Sequence, residues 1–192
     1  NQIKLSSPTY NQFVQEIEGQ QSHLAVAYHF PFINTLQGRV HMQMLNAIFG
    51  GVSNSLLFME IREAQGLAYS IYSSSDFSRS LLVVFAAVDG EKIEHVINEV
   101  NHQMVLLRNK VTDLDFLKEI KFTLISEHIQ SRDYQDTELY LQINQFLQPT
   151  FPTAIEAYQE YIEGVQAKDL LELIDHLQAI TSFILIGGDS NA

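Results

Sequence analysis

The 192-residue sequence carries 11 basic and 23 acidic side chains, a net charge of −12, no cysteine and 46% hydrophobic residues. That balance argues against a nucleic-acid partner, because affinity for phosphate backbones rests on clustered Lys and Arg. The lack of cysteine removes disulfides and thiolate metal sites. The longest apolar run, Leu81–Val88, is strand-sized and falls short of the roughly 18 residues that read as a membrane span, so no membrane partner is expected.

Asn1–Ser7 holds one lysine and no apolar run of signal-peptide length. A cytoplasmic location is the expectation. The apolar content suffices for one core, so residues 1–192 are expected to form a single domain. The first residue is Asn, as expected of a piece excised from something longer.

In chain order, Leu24–Phe30 reads as a strand stopped by Pro31. Gln37–Phe49 places Val40, Met44, Ala47 and Ile48 on one helical stripe, and Gly50-Gly51 ends it. Ser53 or Asn54 is in position to cap a helix over Ser55–Gln65 with Leu57 and Ile61 inward, closed by Gly66. Leu67–Asp76 alternates with the period of a half-buried strand. Leu81–Val88 is apolar throughout and predicts a central partner strand buried on both faces.

Asp89-Gly90 opens the clearest helix, with Ile93, Val96, Ile97, Val100, Met104 and Leu107 on one side. Thr112-x-x-Asp115 starts another, carrying Leu114, Leu117, Ile120, Leu124 and His128. A further helix is predicted near Asp136–Gln148, and Thr153-x-x-Glu156 is a capping box for a short one ending at Gly164. Ala167–Leu177 follows as helix and Ile180–Ile186 as a last strand. The fold class is therefore α+β, a mostly antiparallel sheet with a block of helices on one face.

Self-contained catalytic machinery is not visible. No two of the seven histidines stand three or four apart, and His95 and His102 lie about 10.5 Å apart along one helix face, too far to share an ion. Glu91-Lys92-Ile93-Glu94-His95 resembles the inverted zinc signature with Glu91 in place of its first histidine. Acidic residues there also suit a helix N-terminus, so no metal site is expected. Gly51-Val52-Ser53-Asn54-Ser55 lacks the second glycine of a nucleophile elbow.

Arg62 and Tyr69 admit two readings. In one, Arg62 offsets a helix C-terminal dipole and Tyr69 packs with its hydroxyl at the surface. In the other, both reach one cleft, Arg62 as a bidentate donor to a peptide carbonyl and Tyr69 as a hydroxyl donor.

The stretch Leu45–Tyr72 brings in a resemblance. Leu45, Gly50-Gly51, Ser53-Asn54-Ser55, Leu57-Phe58 and Arg62-Glu63-Ala64-Gln65-Gly66-Leu67-Ala68-Tyr69 follow the pattern of the M16 (pitrilysin/insulinase-like) zinc metallopeptidases. The sequence resembles the second, zinc-free half of these proteins, most nearly the bacterial ones, from about Leu24 onward. The resemblance implies a LuxS/mitochondrial-processing-peptidase-like half that closes on a zinc-bearing N-terminal half around a peptide substrate. It implies zinc in that partner half and none in this chain.

By motif, Arg62 and Tyr69 match the pair that binds substrate and assists the tetrahedral intermediate, and Gly50, Gly51, Ser53 and Asn54 form a substrate loop. Donors of that kind typically contribute about 2.7–4 kcal/mol each to the transition state. Leu56 departs from the pattern, which often has a basic residue there. An inactive M16-like subunit for assembly or peptide capture, and a generic helix-backed interaction domain with Arg62 and Tyr69 buried apart, are the alternatives.

Overall fold

The structure, a computed structural model, describes residues 11–31, 35–131 and 155–188, together with Leu139, Ile143 and Phe146. Of the helix expected near Asp136–Gln148 only Leu139, Ile143 and Phe146 are described, each helical, and Thr153 of the capping box lies outside the described residues.

Five strands form one mixed sheet: β1 (Asn11–Glu18), β2 (Ser22–His29), β3 (Ser70–Asp76), β4 (Leu81–Val88) and β5 (Gln178–Gly188), in the order β1-β5-β2-β4-β3. Only β1 and β5 pair in parallel; the other three pairings are antiparallel. The helices α1 (Leu36–Asn46), α2 (Ile93–Lys110), α3 (Leu114–Ser131), α4 (Ile155–Gly164) and α5 (Ala167–His176) complete the α+β fold. Leu24, Val26 and Tyr28 of β2, Leu82 and Val84 of β4 and Ile184 of β5 are buried with Val40, Met44 and Ile48 from α1 and the turn after it, and with Val96, Val100 and Leu107 of α2. Among the described residues nothing covers the sheet's other face, where Phe13, Tyr72, Phe85 and Phe183 are exposed.

The register aligns Phe13, Phe183, Ala25, Phe85 and Tyr72 in one row across all five strands. Phe183 sits between buried Ser182 and Ile184 and so points away from the core. Its row-mates Phe13, Phe85 and Tyr72 are likewise exposed, and the Tyr72 and Phe85 rings stack at 5.3 Å.

Several expectations need correction. β4 is central, but only alternate residues are buried from Leu81 to Phe85, because no layer of the described residues covers the open face. Leu114, assigned to the core stripe of α3, is 73% exposed. It occupies the first turn, ahead of the point where the helix meets the core at Leu117 and Ile120. Asp113 rather than Thr112 caps that helix, its carboxylate accepting from the Phe116 amide at 3.1 Å. β1 was not anticipated.

The two helices around Gly50-Gly51 also differ from the expected regular form. α1 widens into a π-helical turn, Ala47–Gly51, and the second helix is π-helical over Phe58–Ala64. Such widening is rare and gathers near functional sites.

Candidate active-site corner

The corner from the second π-helical segment into β3 positions both sequence-predicted side chains. Gly66 supplies the left-handed turn at φ +61°, a conformation that costs glycine little. Its amide donates to the Arg62 carbonyl at 3.1 Å and the Leu67 amide to the Ile61 carbonyl at 3.0 Å, closing the helix end. Ile61, Ala68 and Ile71 are buried and anchor the corner. Arg62 and Tyr69 are left facing outward on either side of Gly66.

The Arg62 side chain is 42% exposed, its guanidinium lying 4.7 Å from the Phe58 ring centre and its Nε 3.7 Å from the Glu63 carboxylate. One turn of helix carries that stack, which restricts an otherwise free side chain. Tyr69 is 54% exposed, with its backbone amide paired to the Ala87 carbonyl at 2.8 Å.

Sequence reasoning did not include the partner of Tyr69. The phenol donates to Asp89 Oδ1 at 2.5 Å, and Lys92 Nζ lies 2.9 Å from Asp89 Oδ2. Asp89 immediately follows β4, and Lys92 ends the single 3-10 turn Gly90–Lys92 that leads into α2. The hydrogen bond to Asp89, and then the charge of that carboxylate, hold the Tyr69 phenol above its ordinary pKa. The same bond, with Lys92 behind it, holds Asp89 low, while Asp89 holds Lys92 high. A usable signal was in the hairpin register, which sets Ser70 opposite Ala87 and so brings Tyr69 to the end of β4.

The glycine loop is placed by packing. Gly50 is buried, and a Cβ there would lie 2.8 Å from both the backbone nitrogen and the hydroxyl of Ser73. A Cβ on Gly51 would lie 2.6 Å from Asn46 Nδ2. Asn54 does not cap a helix: its amide reaches α3, donating to Glu119 at 3.1 Å and Thr123 at 3.3 Å. Its Oδ1 is buried without a partner. Ser53 alone of the four loop residues presents an exposed side chain.

Two clefts lie elsewhere. One of about 510 Å3 runs between α1 and α4 beside Gln37, His41 and Tyr161, and one of about 600 Å3 lies between α3 and the α4–α5 junction. Neither includes Arg62 or Tyr69, which stand on open surface. Among the described residues, neither cleft is lined by an arginine, whereas the corner carries the Arg62 guanidinium and the Tyr69 phenol bonded to Asp89. Among the described residues no group of three His, Asp or Glu side chains is placed to hold a metal ion. No helix among them is long and apolar enough to cross a membrane.

The mixed five-stranded sheet and its helices match the α+β fold of an M16 C-terminal half. Residues 2–123 match the family described as Peptidase M16 inactive domain, and the chain belongs to that family. A probable inactive metalloprotease, YmfF, of Bacillus subtilis is 25% identical over 176 residues, covering 91% of this chain and 41% of that protein. An uncharacterized zinc protease of Rickettsia felis is 26% identical over 166 residues, covering 82% of this chain and 38% of its own length. The chain thus spans about two-fifths of the length of these two relatives. In fold it is similar to a conserved protein of Enterococcus faecalis V583, with a TM-score of 0.81 at 24% identity, over 96% of this chain and 43% of that one.

Proposed function

We propose that this chain is a single half-domain, the substrate-binding, zinc-free half of an M16 peptidase, working with a zinc-bearing half that encloses peptides against it. The observation that carries the reading is the corner: within the family-matched region, Arg62 and Tyr69 are both exposed and both held in place by neighbours. Had they been sealed in the interior, as a generic interaction domain would allow, the reading would have no support.

Arg62 supplies a guanidinium to a substrate carbonyl and to the charge that grows on it during hydrolysis. Tyr69 is the second group at the same substrate, and the Ser53 loop borders it. The other half supplies zinc and the water it activates. The open sheet face, with Phe13, Phe183, Phe85 and Tyr72 in a row, offers that half an apolar surface to pack on. Residence in the cytoplasm belongs to the same proposal and is checked by fractionation.

The test is steady-state peptide hydrolysis by the full-length protein. Arg62→Ala and Tyr69→Phe should each lower kcat/KM about 10²-fold, the cost typical of removing one donor to a developing oxyanion. Unchanged turnover in both variants removes the proposal. A second reading, an inactive subunit that captures peptides or serves assembly, is favoured by the Bacillus subtilis relative described as probably inactive. Peptide binding without zinc-dependent turnover in the full-length protein would select it.

A further inference from the structure

We propose that the cleft between α3 and the α4–α5 junction docks an acidic, partly apolar polypeptide segment of a partner protein, held between lysines on its two walls. The proposal is independent of the reading of Arg62 and Tyr69, neither of which lines this cleft.

The cleft, about 600 Å3, has Lys118 and Lys121 on its α3 wall and Lys168 opposite, in the first turn of α5. Three of the six lysines of a chain with a net charge of −12 thus line one depression. Among the described residues none of the three forms an ion pair, whereas Arg62, Arg79, Lys92 and Arg108 each sit beside a carboxylate. The one carboxylate among the lining residues, Glu163, accepts from Gln159 Nε2 at 2.9 Å, one turn back along α4. The positive charge of the cleft is therefore left uncompensated.

Lys121 is held in place. Two of its three N–H bonds go to the carbonyls of Glu163 and Val165, and the third is left for a ligand. Burial lowers its pKa, and a carboxylate brought into the cleft would offset that. Lys118, one turn earlier on the same helix face, and Lys168 are exposed.

The apolar part of the cleft bears on the occupant. Leu117 and Val165 are its buried lining residues, and Leu114, 73% exposed, stands on its rim one turn before Lys118. An inorganic anion has no use for that leucine. A segment alternating acidic and apolar side chains satisfies both the ammonium groups and the rim, and the net negative charge of the chain disfavours it elsewhere.

The test is fluorescence anisotropy with the full-length protein and a short fluorescein-labelled peptide of alternating glutamate and leucine. Lys118→Gln and Lys168→Gln should each weaken binding about 3-fold and together about 10-fold, as loss of partly exposed charge pairs does. Lys121 is left intact because it holds the end of α4. Added salt should weaken wild-type binding and shrink these differences. A glutamine–leucine peptide should bind the wild type more weakly than the glutamate peptide binds the double variant. Arg79→Gln removes the same charge from the β3–β4 turn and should bind like the wild type, as should Arg62→Ala.

Absence of binding, or binding indifferent to both lysine changes, overturns the inference. So does an equal loss in Arg79→Gln, which would reduce the effect to overall charge. Displacement by millimolar inorganic phosphate at constant ionic strength overturns it too, because the cleft would then be an oxyanion site. Sedimentation showing a wild-type dimer that Lys118→Gln dissociates would put a second copy in the cleft and end the proposal.

Discussion

The Ser73 hydroxyl donates to Asn46 Oδ1 at 2.8 Å, tying β3 to the last residue of α1. That bond draws the π-helical turn Ala47–Gly51 against the strand, and it explains both glycines by contact. The Gly-Gly pair that looks like a substrate loop in the sequence is first of all a place where two backbones touch.

Gly50→Ala should therefore destabilise. Its new methyl would meet the Ser73 backbone nitrogen and the Leu57 side chain at 2.8 and 2.9 Å, and backbone has little room to give. Overpacking of this kind costs about 1–3 kcal/mol, and each kcal/mol lowers Tm by roughly 2–4 °C in a chain of this size. Gly164→Ala, where nothing lies within 4 Å, is the control and should leave Tm unchanged or slightly higher. Thermal unfolding of both variants checks the contrast; equal behaviour would contradict it.

Lys121 holds the end of α4. Its Nζ donates to the carbonyls of Glu163 and Val165 at 2.8 and 2.6 Å, satisfying groups that a helix end leaves open. Burial lowers its pKa, partly offset by the Glu163 charge. Lys121→Met keeps the stem and removes the donors, and should cost about 1 kcal/mol in denaturant unfolding. No loss would mean that water replaces the ammonium.

The Tyr69–Asp89 bond has a pH window with two edges. Asp89 is depressed in the folded chain, so its contribution is complete above the unfolded carboxylate range and is lost as pH falls through the lowered value. Tyr69 is raised, so its contribution is complete below the ordinary tyrosine range and is lost as pH rises through the higher value. The stability difference between wild type and Tyr69→Phe should be flat through neutral pH and shrink at both extremes. A difference that changes between pH 6 and 8 would require another titrating partner.

Much of this was legible locally. The apolar stripes of α1 and α2, the limits of β4 and the Gly66 corner follow from spacing alone, because each buries one face against the same core. β1 escaped because it lies at the sheet edge with seven of its eight residues exposed, so no burial pattern marks it. Its partner β5 is supplied by the far end of the chain: Asn11 pairs with Thr181. Asp89 escaped for a different reason. Asp-Gly after a strand is a sufficient helix-start signal, so nothing prompted a search for a partner twenty residues upstream. The family pattern pointed to Arg62 and Tyr69; only strand register could add the carboxylate.

The most direct measurement is a crystal structure of the full-length protein, zinc removed, with a peptide bound. The Arg62 guanidinium and the Tyr69 phenol oxygen should both stand within hydrogen-bond distance of the peptide backbone, facing the zinc-binding half across it. A peptide lodged elsewhere, or either side chain buried against the other half and away from the peptide, would contradict the assignment.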